Sequence, residues 1–148
     1  MSPVEAEAPI IRTVEPREIA VAFELMRQLR PHLASPADFE AGWRRQAATG
    51  YRLAAVWAGA EPRALAGFRV LENYVHGRFL YVDDLVVGES ARGQGLGAAL
   101  LDWLKAEGRA LGCDKLVLDT AIANLAAQRF YRREGLRDLA MRFHFALV

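Results

Sequence analysis

The chain has 148 residues, a single cysteine, a formal net charge of +1 and 25% charged residues. That length suits one ordinary domain whose core needs neither disulfides nor a metal, and the balanced charge lacks the basic excess of a nucleic-acid binder. Arg, Glu or Asp interrupts every apolar run well short of a membrane span, no basic segment leads into a signal-type core, and the lone Cys113 excludes an internal disulfide or a cysteine-based metal cluster, so a cytoplasmic protein without membrane contact or a bound metal is expected.

Residues 1–9 mix Glu, Ala and Pro without periodicity and read as a flexible leader to one domain over residues 10–148. Residues 10–14 suit a strand. Pro16 then fits a first helical turn, and Ile19, Phe23, Met26 and Arg30 mark successive turns of a helix whose apolar stripe should face a sheet. Ser35-Pro36-Ala37-Asp38 combines an N-cap with proline at the first helical position, predicting a second helix to about Ala48 after a loop at residues 31–34.

Residues 51–57 and 64–74 read as an antiparallel pair around a turn at residues 58–62, and His76-Gly77 turns the chain again. Residues 78–87 form the strongest strand, with Phe79, Tyr81, Leu85 and Val87 on one face and Leu80, Val82 and Val86 on the other, both covered. Leu96, Leu100, Trp103, Leu104 and Leu111 then define a helical face over residues 95–111, stopped by Gly112. A strand at residues 115–119, a helix at 125–134 ending at Gly135 and a last strand at 141–147 complete the order β-α-α-β-β-β-α-β-α-β. This is an α/β arrangement: a mixed central sheet with helices on both faces.

Between the strongest strand and the strongest helix stands Arg92-Gly93-Gln94-Gly95-Leu96-Gly97-Ala98. Backbone amides there, and the positive end of the helix dipole, can point together at an anion. Glycine allows close approach of a diphosphate and the positive φ that such a cradle uses, and Arg92 adds a cation at its rim. A nucleoside-triphosphate loop is excluded, because Ala98-Ala99 follow Gly97 where that motif needs Lys and Ser or Thr. Gly93, Gly95 and Ala98 also fit a dinucleotide fingerprint with Asp119 as its ribose acid, yet residues 88–92 separate the glycines from their strand and too little chain follows to finish a parallel sheet.

Arg92, Gly95 and Gly97 match the R/Q-x-x-G-x-G/A signature of the GNAT superfamily of acyl-CoA-dependent N-acyltransferases, which the chain resembles in element order over residues 10–147 and in detail over residues 81–135. The resemblance implies a GNAT-like fold and acetyl-coenzyme A as co-substrate, with its pyrophosphate at residues 92–98 and its pantetheine arm along a splayed strand end at Leu85, Val86 and Val87. Asn124 and the run Phe130-Tyr131-Arg132-Arg133-Glu134-Gly135 resemble the family's second pattern, F-Y-x-x-x-G. They imply Asn124 and Tyr131 at the cofactor and Tyr131 as the catalytic tyrosine, since a phenol near the sulfur can protonate the departing thiolate.

Asp83 and Asp84 interrupt an apolar strand, where a carboxylate is costly unless it pairs or serves a site. Strand alternation sends them to opposite faces unless a bulge re-aims one. Resemblance to polyamine-type members makes Asp83 the first candidate and Asp84 the second for holding or deprotonating an ammonium, while a structural reading pairs them with Arg78 or backbone amides. His32, His76 and His144 lack metal-ligand spacing, with His32 alone placed to touch a substrate. The expected activity is acetyl transfer by direct attack onto a small primary amine, polyamine-like or an amino sugar, by a homodimer. The alternatives are a noncatalytic acyl-CoA-binding or sensor module and a protein lysine or N-terminal acetyltransferase.

Overall fold

The computed structural model describes residues 9–148, so the expected leader lies, except for Pro9, outside the described residues. Two compact units are present, one running to Val117 and one from Leu118 to Val148. The first holds the sheet. Its strands are β1 (Ile10–Thr13), β2 (Arg52–Ala58), β3 (Glu61–Asn73), β4 (Gly77–Val87) and β5 (Lys115–Leu118), in spatial order β1-β2-β3-β4-β5. The first three neighbour pairs are antiparallel, and helix α3 (Leu96–Ala110) carries the chain from β4 to β5, giving a mixed sheet.

Helices α1 (Ile19–Leu29) and α2 (Pro36–Ala47) start as their sequences require. A 3₁₀ turn at Pro16–Glu18 leads into α1, and the Ser35 hydroxyl accepts the Asp38 amide at 3.1 Å ahead of Pro36. Their buried faces, with Ile19, Phe23, Met26 and Phe39, pack on Leu53, Trp57, Leu65 and Val86 of the sheet. On the opposite face Gly108 of α3 lies over Leu80, and Trp103 meets Phe68 edge-on with ring centroids 5.8 Å apart. Helices thus cover both faces. Among the described residues no helix is long and apolar enough to cross a membrane.

Three expectations change. The β2–β3 connection is a tight hairpin through Gly59-Ala60, not a five-residue turn, and β3 begins at Glu61; Pro62 is tolerated because the register slips beside it, between Val56 and Trp57. In β4, Gly67 pairs with Asp84 and Phe68 with Val82, leaving Asp83 as an extra residue, so a bulge shifts the alternation. Val86 therefore belongs to the α1–α2 core, while Leu80 faces α3. Finally, residues 141–147 are not a strand. Met141, Phe143, Phe145 and Leu147 alternate as a strand would but stand exposed, because alternation without a hydrogen-bonding neighbour does not make a ladder; Arg142 instead pairs with Asp119.

The second unit contains helix α4 (Leu125–Arg133), capped by the Asn124 side chain, which accepts the Ala127 amide at 3.1 Å. Gly135 closes the helix at φ +92°.

Candidate active site

The turn from β4 into α3 leaves its backbone open to solvent. Gly93 and Gly95 hold φ of +80° and +74°, and no atom lies within 4 Å of the place a Cβ would take at either, so the backbone is open to close approach. Gly95 is the N-cap of α3, its carbonyl accepting the Ala99 amide at 3.0 Å. The amides of Leu96, Gly97 and Ala98 are then first-turn donors without intrahelical acceptors, at the positive end of a fifteen-residue helix. Arg92, Gly93, Gln94 and Gly95 are all exposed. These features fit a pyrophosphate.

Upstream, Leu85, Val86 and Val87 remain in register with Ala66, Leu65 and Ala64 of β3. On its other side β4 outruns β5, which has four residues and starts where the Asp114 amide bonds the Arg78 carbonyl at 2.7 Å.

The bulge brings Asp83 and Asp84 together on the α1 side of the sheet. Asp84 accepts the Tyr51 hydroxyl at 2.8 Å on Oδ2 and Arg30 Nε at 3.1 Å on Oδ1. Asp83 accepts Arg69 Nε at 2.9 Å on Oδ2, and its carbonyl accepts Arg30 Nη2 at 2.9 Å. Arg69 also stacks over the Tyr51 ring and donates to Gln46 Oε1 at 2.9 Å. Burial outweighs the Arg69 pair and raises the Asp83 carboxyl above its ordinary value. Burial, reinforced by Asp84, pushes the Tyr51 phenol far up, so it stays a proton donor.

The partner expected for these carboxylates, Arg78, is engaged elsewhere, donating Nε to the Leu111 carbonyl at 2.9 Å. Arg30, Tyr51 and Arg69 went unread as site residues. Arg69 had a usable signal, since it interrupts the apolar run of β3 just as Asp83 and Asp84 interrupt β4. Gly67 makes room for the cluster, because a Cβ there would stand 1.9 Å from the Tyr51 hydroxyl and 2.7 Å from Asp84 Oδ2.

In the second unit Tyr131 is half-buried, its ring 5.3 Å from that of Phe130, and its hydroxyl bonds no described residue. Burial raises this phenol too, so it keeps its proton at neutral pH. Exposed Arg132 pairs with Asp138 at 3.1 Å, and His32 is exposed in the loop after α1.

Residues 19–136 match the Acetyltransferase (GNAT) family. The chain belongs to that family. This GNAT acetyltransferase is 41% identical over 66 residues to the aminoalkylphosphonate N-acetyltransferase of Salmonella typhimurium, a match spanning 45% of this chain and 43% of that enzyme. Its fold matches an aminoglycoside N-acetyltransferase, AAC(6')-Iy, solved with coenzyme A, at a TM-score of 0.85 and 19% identity over 99% of this chain and 98% of that one. A glucosamine-6-phosphate N-acetyltransferase from Arabidopsis thaliana matches with a TM-score of 0.76 and 20% identity over 96% and 100%. The chain thus carries the acetyltransferase domain of that family over residues 19–136.

Proposed function

We propose that this enzyme acetylates a small-molecule primary amine by direct attack, with the acceptor ammonium at the Asp83–Asp84 bulge and the donor's pyrophosphate at the Gly93–Ala98 turn. The observation that carries the reading is the bulge itself, which turns two carboxylates to one side of the strand that leads into the glycine turn. Membership of the family supports acetyl transfer, and a relative named for aminoalkylphosphonates supports a small amine acceptor. Bound acetyl-coenzyme A supplies the thioester whose carbonyl carbon the amine attacks.

The chain's own groups manage the protons. An aspartate accepts the ammonium proton and frees the nitrogen lone pair. As the new C–N bond forms and the C–S bond breaks, Tyr131 gives its hydroxyl proton to the leaving sulfur and is reprotonated by the proton that the acylated nitrogen sheds, a role favoured by its place in the Phe130-to-Gly135 pattern and by a phenol that is protonated and free of described hydrogen-bond partners. Asn124 caps the helix that carries Tyr131. We further propose that the enzyme works in the cytoplasm as a homodimer.

Incubation with acetyl-coenzyme A and a panel of primary amines, reading free thiol and product mass, tests this proposal. Amine-dependent thiol release with one acetyl group on a small acceptor is expected. Coenzyme A binding without release for any small amine, or acetylation confined to protein lysines, overturns it.

A further inference from the structure

The hydrogen bonds around the bulge leave an uneven set of atoms open. Asp84 has both oxygens engaged, by Tyr51 and Arg30. Asp83 has only Oδ2 engaged, by Arg69. Arg30 spends Nε and Nη2 on Asp84 and the Asp83 carbonyl, and Arg69 spends Nε and Nη2 on Asp83 and Gln46. Asp83 Oδ1 and the Nη1 groups of Arg30 and Arg69 therefore make no hydrogen bond to any described residue. The side chains of Arg30, Asp83 and Arg69 are 43%, 24% and 20% exposed, against 13% for Asp84, so the open atoms belong to the more accessible members.

Charge narrows what they can take. Two carboxylates and two guanidinium groups sum to zero, so the cluster lacks the excess negative charge that a polycation needs. A simple ammonium on Asp83 Oδ1 would leave the ligated cluster positive, with guanidinium donors still unpaired at a half-buried site, where unmet charged donors are costly. A lone anion would meet Asp83 head-on. A molecule carrying both charges answers both demands, and guanidinium forks suit carboxylate and phosphonate oxygens alike.

We infer that the acceptor is a zwitterion: a primary amine bearing a carboxylate, phosphonate or phosphate a few bonds away. Asp83 holds the ammonium, Arg30 and Arg69 hold the acid, and Asp84 is a positioning residue that, with Tyr51, fixes Arg30. This assignment rests on the proposed function above, since it names the acceptor of that same site.

The test compares kcat/KM for propylamine, 1,3-diaminopropane, β-alanine and 2-aminoethylphosphonate in the thiol-release assay with the full-length enzyme. At least one acid-bearing amine is expected to exceed both others by about tenfold or more, and the better of β-alanine and 2-aminoethylphosphonate identifies the acid. Arg69→Met should raise KM for that acceptor by about tenfold more than it raises KM for propylamine, because both amines lose the Arg69 support of Asp83 but only the acid-bearing one also loses a guanidinium contact. Arg30→Lys, which keeps the charge, provides a second variant should Arg69→Met not fold. Equal or better turnover of propylamine or the diamine overturns the zwitterion assignment alone. Failure of every amine, with coenzyme A still bound, overturns the proposed function as well.

Discussion

Gly67→Ala is the most informative change for the architecture of the acid cluster. The added methyl would stand 1.9 Å from the Tyr51 hydroxyl, 2.6 Å from the ring carbon that bears it and 2.7 Å from Asp84 Oδ2, so something must move. Tyr51 is buried and pinned by Asp84 at 2.8 Å, with Arg69 stacked over its ring. Relief therefore breaks the Tyr51–Asp84 bond. A hydrogen bond to a charged group contributes about 1.5–3 kcal/mol, and overpacking costs about 1–3 kcal/mol, which together predict a loss of about 2.5–6 kcal/mol.

A double-mutant cycle with Tyr51→Leu isolates the cause by urea unfolding. Tyr51→Leu removes the hydroxyl and the ring carbon that the methyl strikes, and it forfeits the same hydrogen bond. That bond is then lost only once in the double variant and the clash with the ring is relieved, so it should cost less than the sum of the singles by at least about 1.5 kcal/mol. Costs that add to within about 0.5 kcal/mol would refute the reasoning, because they would mean that Gly67 and Tyr51 do not share this space.

Three further outcomes are expected. Tyr131→Phe keeps the ring and removes the proton donor, so single-turnover rates should fall about 10²–10⁴-fold with acetyl-coenzyme A affinity unchanged, and wild-type rates across pH would make Tyr131 a packing residue. Because burial raises Asp83, the acidic limb of kcat/KM should lie above the ordinary carboxylate value of about 3.9 and disappear in Asp83→Asn; an unmoved limb in that variant would assign the proton to another group. Glu18, bound by Arg12 through two 2.8 Å contacts, has its carboxyl lowered to about 2, so its contribution is present above its unfolded value of about 4.3 and is lost as pH falls toward 2. Glu18→Gln should be less stable than wild type by at most about 1 kcal/mol at pH 7, given the exposure of Arg12, with the gap closing near pH 2; a gap that persists in acid would detach it from this ion pair.

What could be read from the chain alone was local. The Ser35 cap, Pro36, the helix stops at Gly112 and Gly135 and the open glycines 93 and 95 act through their own neighbours, and each stands where its residue type requires. The acid cluster is not local. Whether Asp83 and Asp84 share a face depends on a bulge set by the register of β3 against β4, and their partners arrive from the end of α1 (Arg30), the approach to β2 (Tyr51) and β3 (Arg69). No spacing within β4 encodes that choice, which is why nearby Arg78 looked a sufficient partner. Residues 141–147 fail for the converse reason: their period-two pattern is sound, but a strand also needs an edge to pair with.

Titrating coenzyme A into the wild-type enzyme and into Gly95→Val by calorimetry asks whether the glycine turn binds the donor's pyrophosphate. At φ +74° a valine is strained, and its side chain would project into the open approach to the Leu96–Ala98 amides. Gly95→Val should lose most of its coenzyme A affinity while its circular dichroism still reports the folded sheet and helices. Equal affinity for coenzyme A in the two proteins would contradict it.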